Sequence, residues 1–175
     1  MSEPTNNEKT KELLQKINSL ILSEKKLMFS IKKSEIENIN DFINVIIKNS
    51  KSQIRLFCSN NLYNVLNNDS IGHVKDFLFL GGEVKILYNS EIDFSEKKHT
   101  LNWYDSLYGD SFMHFDISVL KDAEALSNVS FIIGDENLFM ITAKKEISTF
   151  FSVNTPDLMG KMSSGFNIIW DMFTK

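Results

Sequence analysis

Hydrophobic positions along the chain recur with either a helical or a strand period. Leu13, Leu14, Ile17, Leu20 and Ile21 follow a three-to-four-residue spacing and predict an amphipathic helix over 8–24, with Lys, Glu and Gln on its polar face. A second helix is expected over 36–47, with Ile36, Ile39, Phe42, Ile43 and Ile46 on one face. A helix over 73–80 runs into Gly81-Gly82, a glycine stop. A closing helix over 156–173 carries Leu158, Met162, Phe166, Ile169, Trp170 and Phe173 on its buried side, and Pro156 suits its first turn.

Short apolar or alternating runs predict strands over 53–58, 83–88, 113–120, 129–134, 138–142 and 148–153, with a short strand within 25–30. A tight turn is expected at Asp135-Glu136-Asn137, and residues 60–68 read as one or two helical turns. From 36 to 88 the order is helix, strand, helix, strand, which argues for a parallel α/β unit. Residues 1–7 read as a disordered start and 8–30 as an N-terminal helical appendage. The helix over 8–24 either packs on its own domain or serves as a dimer or partner-docking helix.

Composition narrows the function classes. The chain has 175 residues, room for one domain with a sizeable core. The net charge is -4, which disfavours broad binding to nucleic acid. Of the 19 basic residues only Arg55 is an arginine, so the bidentate grip on phosphate is scarce. Abundant Lys, Asn and Ile beside that scarcity fit an AT-rich genome, bacterial or phage. One cysteine excludes an internal disulfide framework and a thiolate-rich metal site. It also fits a reducing cytoplasm. No stretch approaches the roughly 18 apolar residues of a membrane span, and the polar N-terminus is not a signal peptide.

Candidate chemistry is sparse. Histidines at 73, 99 and 114 have no metal-ligand spacing. Cys58 ends an apolar strand, where a buried thiol is the common case. His114 and Asp116 share one face of a strand, facing solvent or a cleft, and are a candidate nuclease pair. Trp103, Tyr104, Tyr108 and Phe112 either line a partner surface, which would also take in His114 and Asp116, or cover a sheet face.

Three strings carry a resemblance. They are FLFLGGEVKIL (77–87), NVSFIIGDENLFMI (128–141) and FFSVNTPDLMGKMSSGFNIIWDMF (150–173). In this order and spacing they resemble the phospholipase D-like superfamily over about 36–174. The resemblance implies a mixed, largely parallel central sheet with helices on both faces, forming a single domain over 31–175. The family signature is His-x-Lys, four residues, then Asp. Asp135 takes the acid's place, and counting back puts Asn128 at the His and Ser130 at the Lys. Asn154 and Trp170 stand where the family has an Asn at a strand end and an aromatic close to the last helix.

The family's His is the nucleophile and its Lys holds phosphate oxygens. An amide cannot replace the first, nor a hydroxyl the charge of the second. A complete site also needs a second motif, from a longer chain or a dimer. The resemblance therefore implies a pseudoenzyme with no catalytic residue and no cofactor. The expected function is binding or regulation through a macromolecular partner, with a protein favoured over nucleic acid and a homodimer open. The alternatives are a small acidic immunity, antitoxin or anti-defence protein, and a nuclease with an unrecognised site.

Overall fold

The runs of two-residue period become seven strands of one sheet in the computed structural model, which describes residues 5–32, 38–59, 68–89, 107, 114–120, 128–143 and 147–173. In chain order the elements are α1 (Asn6–Leu22), β1 (Leu27–Lys32), α2 (Ile39–Asn49), β2 (Gln53–Cys58), α3 (Asn68–Phe79), β3 (Glu83–Asn89), β4 (Phe115–Leu120), β5 (Val129–Gly134), β6 (Asn137–Ala143), β7 (Ile147–Val153) and α4 (Pro156–Phe173). The strand order is β1-β7-β6-β5-β2-β3-β4.

The expectation of a largely parallel sheet is corrected. Among the described strands, only the β2–β3 and β3–β4 pairs are parallel. The β1–β7, β7–β6, β6–β5 and β5–β2 pairs are antiparallel. The helix–strand alternation that argued for parallel pairing stops at β3. Beyond it, β5 and β6 are joined by Asp135 and Glu136 alone, and β6 and β7 by residues 144–146. Connections that short fold a strand back beside its predecessor, whereas a parallel crossover needs a dozen residues or more. The sheet is mixed, with helices on both faces.

Each face takes alternate residues of the strands. One face carries Ile54, Leu56, Ile86, Ile132, Phe139 and Phe151, covered by Ile17 of α1, Phe42, Ile43 and Ile46 of α2, and Val74 and Phe77 of α3. The rings of Phe29, Phe151, Phe139 and Phe42 form a continuous row with centroids 5.4–5.7 Å apart. The opposite face carries Phe57, Leu87, Ile133 and Leu138, covered by Met159 and Phe166 of α4.

The stretch set apart as 8–30 contributes to both layers of this packing. Ile17 is fully buried, and β1 forms an edge of the sheet beside β7. Of the expected disordered start, residues 1–4 lie outside the described residues. Thr5 instead caps α1: its backbone N–H donates to Glu8 Oε2 at 2.8 Å, and the Glu8 N–H donates to Thr5 Oγ1 at 3.3 Å. The Thr5 N–H and then the Thr5 hydroxyl, both donating to the carboxylate, hold the Glu8 carboxyl below its ordinary range. The glycine stop also forms. Gly81 has φ of +88°, its N–H donates to Leu78 O, and the Gly82 N–H donates to Phe77 O, which closes α3.

Gly134 ends β5 against the last turn of α2. A Cβ there meets Ser50 Oγ and comes within 2.7 Å of Ile46 Cγ2. Gly134→Ala is therefore expected to destabilise the fold by about 1–3 kcal/mol. Gly72→Ala, on an exposed and open side of α3, is expected to be neutral or stabilising by up to about 1 kcal/mol. Urea midpoints of the two variants check the contrast.

Candidate functional site

In open α/β sheets, ligands bind beyond the carboxyl ends of parallel strands, where the strand order changes sense. Here that place is the end of β2, which runs parallel to β3 and antiparallel to β5. Cys58 and Ser59 end β2, and Tyr88 and Asn89 end β3 in register beside them. Asn128 and Ser130 come in at the start of β5. Ser59, Ser130 and Asn89 are buried. The Ser59 N–H donates to Ser130 Oγ at 2.9 Å, and the two hydroxyls lie 3.3 Å apart. Ser130 thus occupies itself in tying β5 to the end of β2.

Cys58 is buried in the same layer. Burial pushes its thiol up to about 12, opposed by a hydrogen bond from Tyr88. A thiol held protonated is a poor nucleophile.

The four positions aligned by the family signature do not converge. Asn128 and Ser130 lie at the carboxyl end of β2. Asp135 and Asn154 lie at its other end, about 17 Å away along five strand residues. Asp135 sits in the β5–β6 turn with φ of +48°. Its role differs from capping its own turn. Its carboxylate accepts from the backbone N–H groups of Lys51, Ser52 and Gln53 and from the Ser52 hydroxyl. Asn154 also has positive φ. Its Nδ2 donates to Leu20 O at 2.9 Å and to Lys25 O at 3.1 Å, fixing the α1–β1 connection to the end of β7. Both residues border a cleft of about 640 Å³ that also involves Ile21, Lys26, Lys51 and Glu136.

His114, just before β4, and Asp116 on it are exposed at an edge of the sheet. They stand beside the start of β3, at the opposite end from Ser59 and Ser130. Trp103, Tyr104, Tyr108 and Phe112 lie outside the described residues. Arg55 is buried under α4, with Nε donating to Asn167 Oδ1 at 3.1 Å and the guanidinium donating to Gln53 Oε1. Glu83 is 3.8 Å away. Among the described residues, no three His, Cys, Asp or Glu side chains cluster as metal ligands. No described helix is long and apolar enough to cross a membrane.

Pattern reading had not singled out Ser59 or Asn89. The signal was present: each is a polar residue at the end of a run of buried strand residues, where a parallel strand opens into its loop.

No protein-family model matches the sequence, and no curated protein matches it. Solved structures do match the fold. Nuc from Salmonella typhimurium, a phospholipase D family member, superposes with a TM-score of 0.57 at 14% identity, over 84% of this chain and 95% of that one. The fold is phospholipase D-like. Phosphatidylserine synthase from Haemophilus influenzae is also similar, with a TM-score of 0.54 at 8% identity, over 82% of this chain and 38% of that one. TrmBL2, an archaeal chromatin protein with a novel mode of DNA binding, matches with a TM-score of 0.63 at 13% identity. That match covers 93% of this chain and 59% of TrmBL2, so the chain spans about three fifths of that protein. At these identities the likeness is one of phospholipase D-like architecture.

Two outcomes follow from this geometry. Asp135→Ala leaves three backbone donors without their acceptor and is expected to cost about 1–3 kcal/mol in urea unfolding. Cys58 is expected to react with a thiol reagent such as DTNB far more slowly in the folded chain than in urea. Its thiol stays protonated to about 12 when folded, against 9.0 as its ordinary value. The unfolded chain therefore loses this proton first. Stability from this group is full below pH 9 and is lost as pH rises from 9 to about 12, which an alkaline unfolding series checks.

Proposed function

We propose that this chain is a non-catalytic phospholipase D-like module that acts by binding a macromolecular partner. One observation carries this reading. The described side chains at the switch point are a thiol, hydroxyls, a phenol and amides: Cys58, Ser59 and Ser130, Tyr88, and Asn89 and Asn128. Phosphoryl transfer through this fold needs a nucleophile and cations where phosphate sits. Asn128 and Ser130 supply neither, and Ser130 is engaged with Ser59. Asp135 and Asn154 retain their places for a structural reason, since both tie loops together.

The partner we favour is a protein. The net charge is -4, and the one arginine is committed beneath α4. An acidic surface speeds association with a basic partner. A more specific form is an immunity or antitoxin protein that neutralises a basic nuclease. A second reading, binding to DNA, has one observation in its favour: nearly the whole chain superposes on part of a DNA-binding chromatin protein.

Purification of the tagged chain from its source cell, with native mass determination, separates these readings. The expected result is a one-to-one protein complex, with no binding of a 20-base-pair duplex at about 10 µM in 150 mM salt. Duplex binding that falls steeply with salt, without any protein retained, would overturn the protein reading in favour of DNA. A mass of twice the chain identifies a second copy as the partner.

A further inference from the structure

β1 stands at one edge of the sheet. It pairs with β7 on one side and with no described strand on the other. In an antiparallel pair, alternate residues direct both N–H and C=O away from the neighbouring strand, so the outer side of β1 offers a row of donors and acceptors. Edge strands are commonly blunted by a proline, a bulge or an inward charge. The centre of β1 has none of these. Its register against β7 runs unbroken from Leu27 to Lys32, and Leu27 to Ile31 holds no charge, proline or glycine. Both faces of this centre are apolar. Phe29 stacks on Phe151 with centroids 5.7 Å apart, so the row of rings across the sheet stops at this edge with Phe29 still partly exposed. On the other face Met28 is 57% exposed.

Charge lies at the two ends. Residues 24–33 carry four lysines and one glutamate: Lys25 and Lys26 precede the strand, Lys32 closes it, and Lys33 follows in sequence. Lys25, Lys26 and Lys32 are exposed, and none has an ion-pair partner among the described residues. This pattern decides between occupants. A second copy added along the same edge would set lysines against lysines in either strand direction, and like charges across a strand pair are destabilising. A strand with acidic ends meets the same lysines with complementary charge. We propose that the outer edge of β1 docks an extended segment of a partner protein, apolar at alternate central positions and acidic at both ends. Backbone hydrogen bonds would supply affinity, contacts with Phe29 and Met28 would fix the register, and the lysines would select the charge. This rests on the reading that the partner is a protein. The strip is basic within a chain that is acidic overall, so the docking segment and the body of its protein can differ in charge.

The test is titration of the full chain with a blocked peptide that has a Val-Thr-Val-Thr-Val centre and two glutamates at each end, read by calorimetry and amide hydrogen exchange. Binding with a Kd of about 100 µM or tighter is expected in low salt, with the outward amides of β1 exchanging about tenfold more slowly at saturation. The same peptide with lysines at its ends is expected to bind about tenfold more weakly, and the double variant Lys26→Glu, Lys32→Glu is expected to reverse that order. A glutamate peptide N-methylated throughout its centre is expected not to bind, since it has lost its donors. The proposal is overturned if the glutamate peptide fails to bind at about 1 mM, if its methylated form binds equally well, or if β1 amides exchange unchanged when it is bound. Recovery of DNA as the cellular partner removes the protein reading and this edge together. A protein complex whose β1 amides exchange as in the free chain removes the edge alone.

Discussion

The contact between Asp135 and the backbone of residues 51–53 holds the two halves of the sheet in register. Among the described strands, β2 is the one paired parallel on one side and antiparallel on the other. Its start must be fixed against the β5–β6 turn for both ladders to close. One carboxylate does this by accepting from three successive backbone N–H groups and a hydroxyl. Charge-assisted bonds of this kind are about twice as strong as neutral ones. Gly134, immediately before the turn, lets Ser50 and Ile46 of the α2 end come close enough for the clamp to form.

Much of this fold is legible in the sequence because each element carries its own period. β2, β5 and α4 occupy the spans their patterns predict, and the Gly81-Gly82 stop closes α3 as expected. The sense of strand pairing was harder to read. Residues 36–88 alternate helix and strand, but the pairing of β2 with β5 joins residues far apart in sequence and leaves no local signature. The reach of Asp135 was hidden for the same reason. A turn aspartate ordinarily bonds within its own turn, whereas this one bonds residues more than eighty positions earlier.

Spacing alone was a poor guide to the geometry. Counting back from Asp135 leads to Asn128 and Ser130, which stand beside the carboxyl end of β2. Asp135 and Asn154 turn out to stand at the opposite end, bound into loops. Strand geometry explains the separation, because seven residues along an extended chain carry the backbone across the whole sheet. The acidic, arginine-poor composition finds a local counterpart. Uncharged hydroxyls and amides occupy the described switch point, and Arg55 is engaged on the other face under α4.

The proposal that this chain binds without cleaving phosphodiesters can be tested in one assay. The assay is steady-state hydrolysis of bis(p-nitrophenyl) phosphate by the purified chain, run beside His114→Ala. No turnover above buffer is expected for either protein. Turnover by the parent chain that His114→Ala abolishes would contradict it and would place the chemistry on the β4 edge.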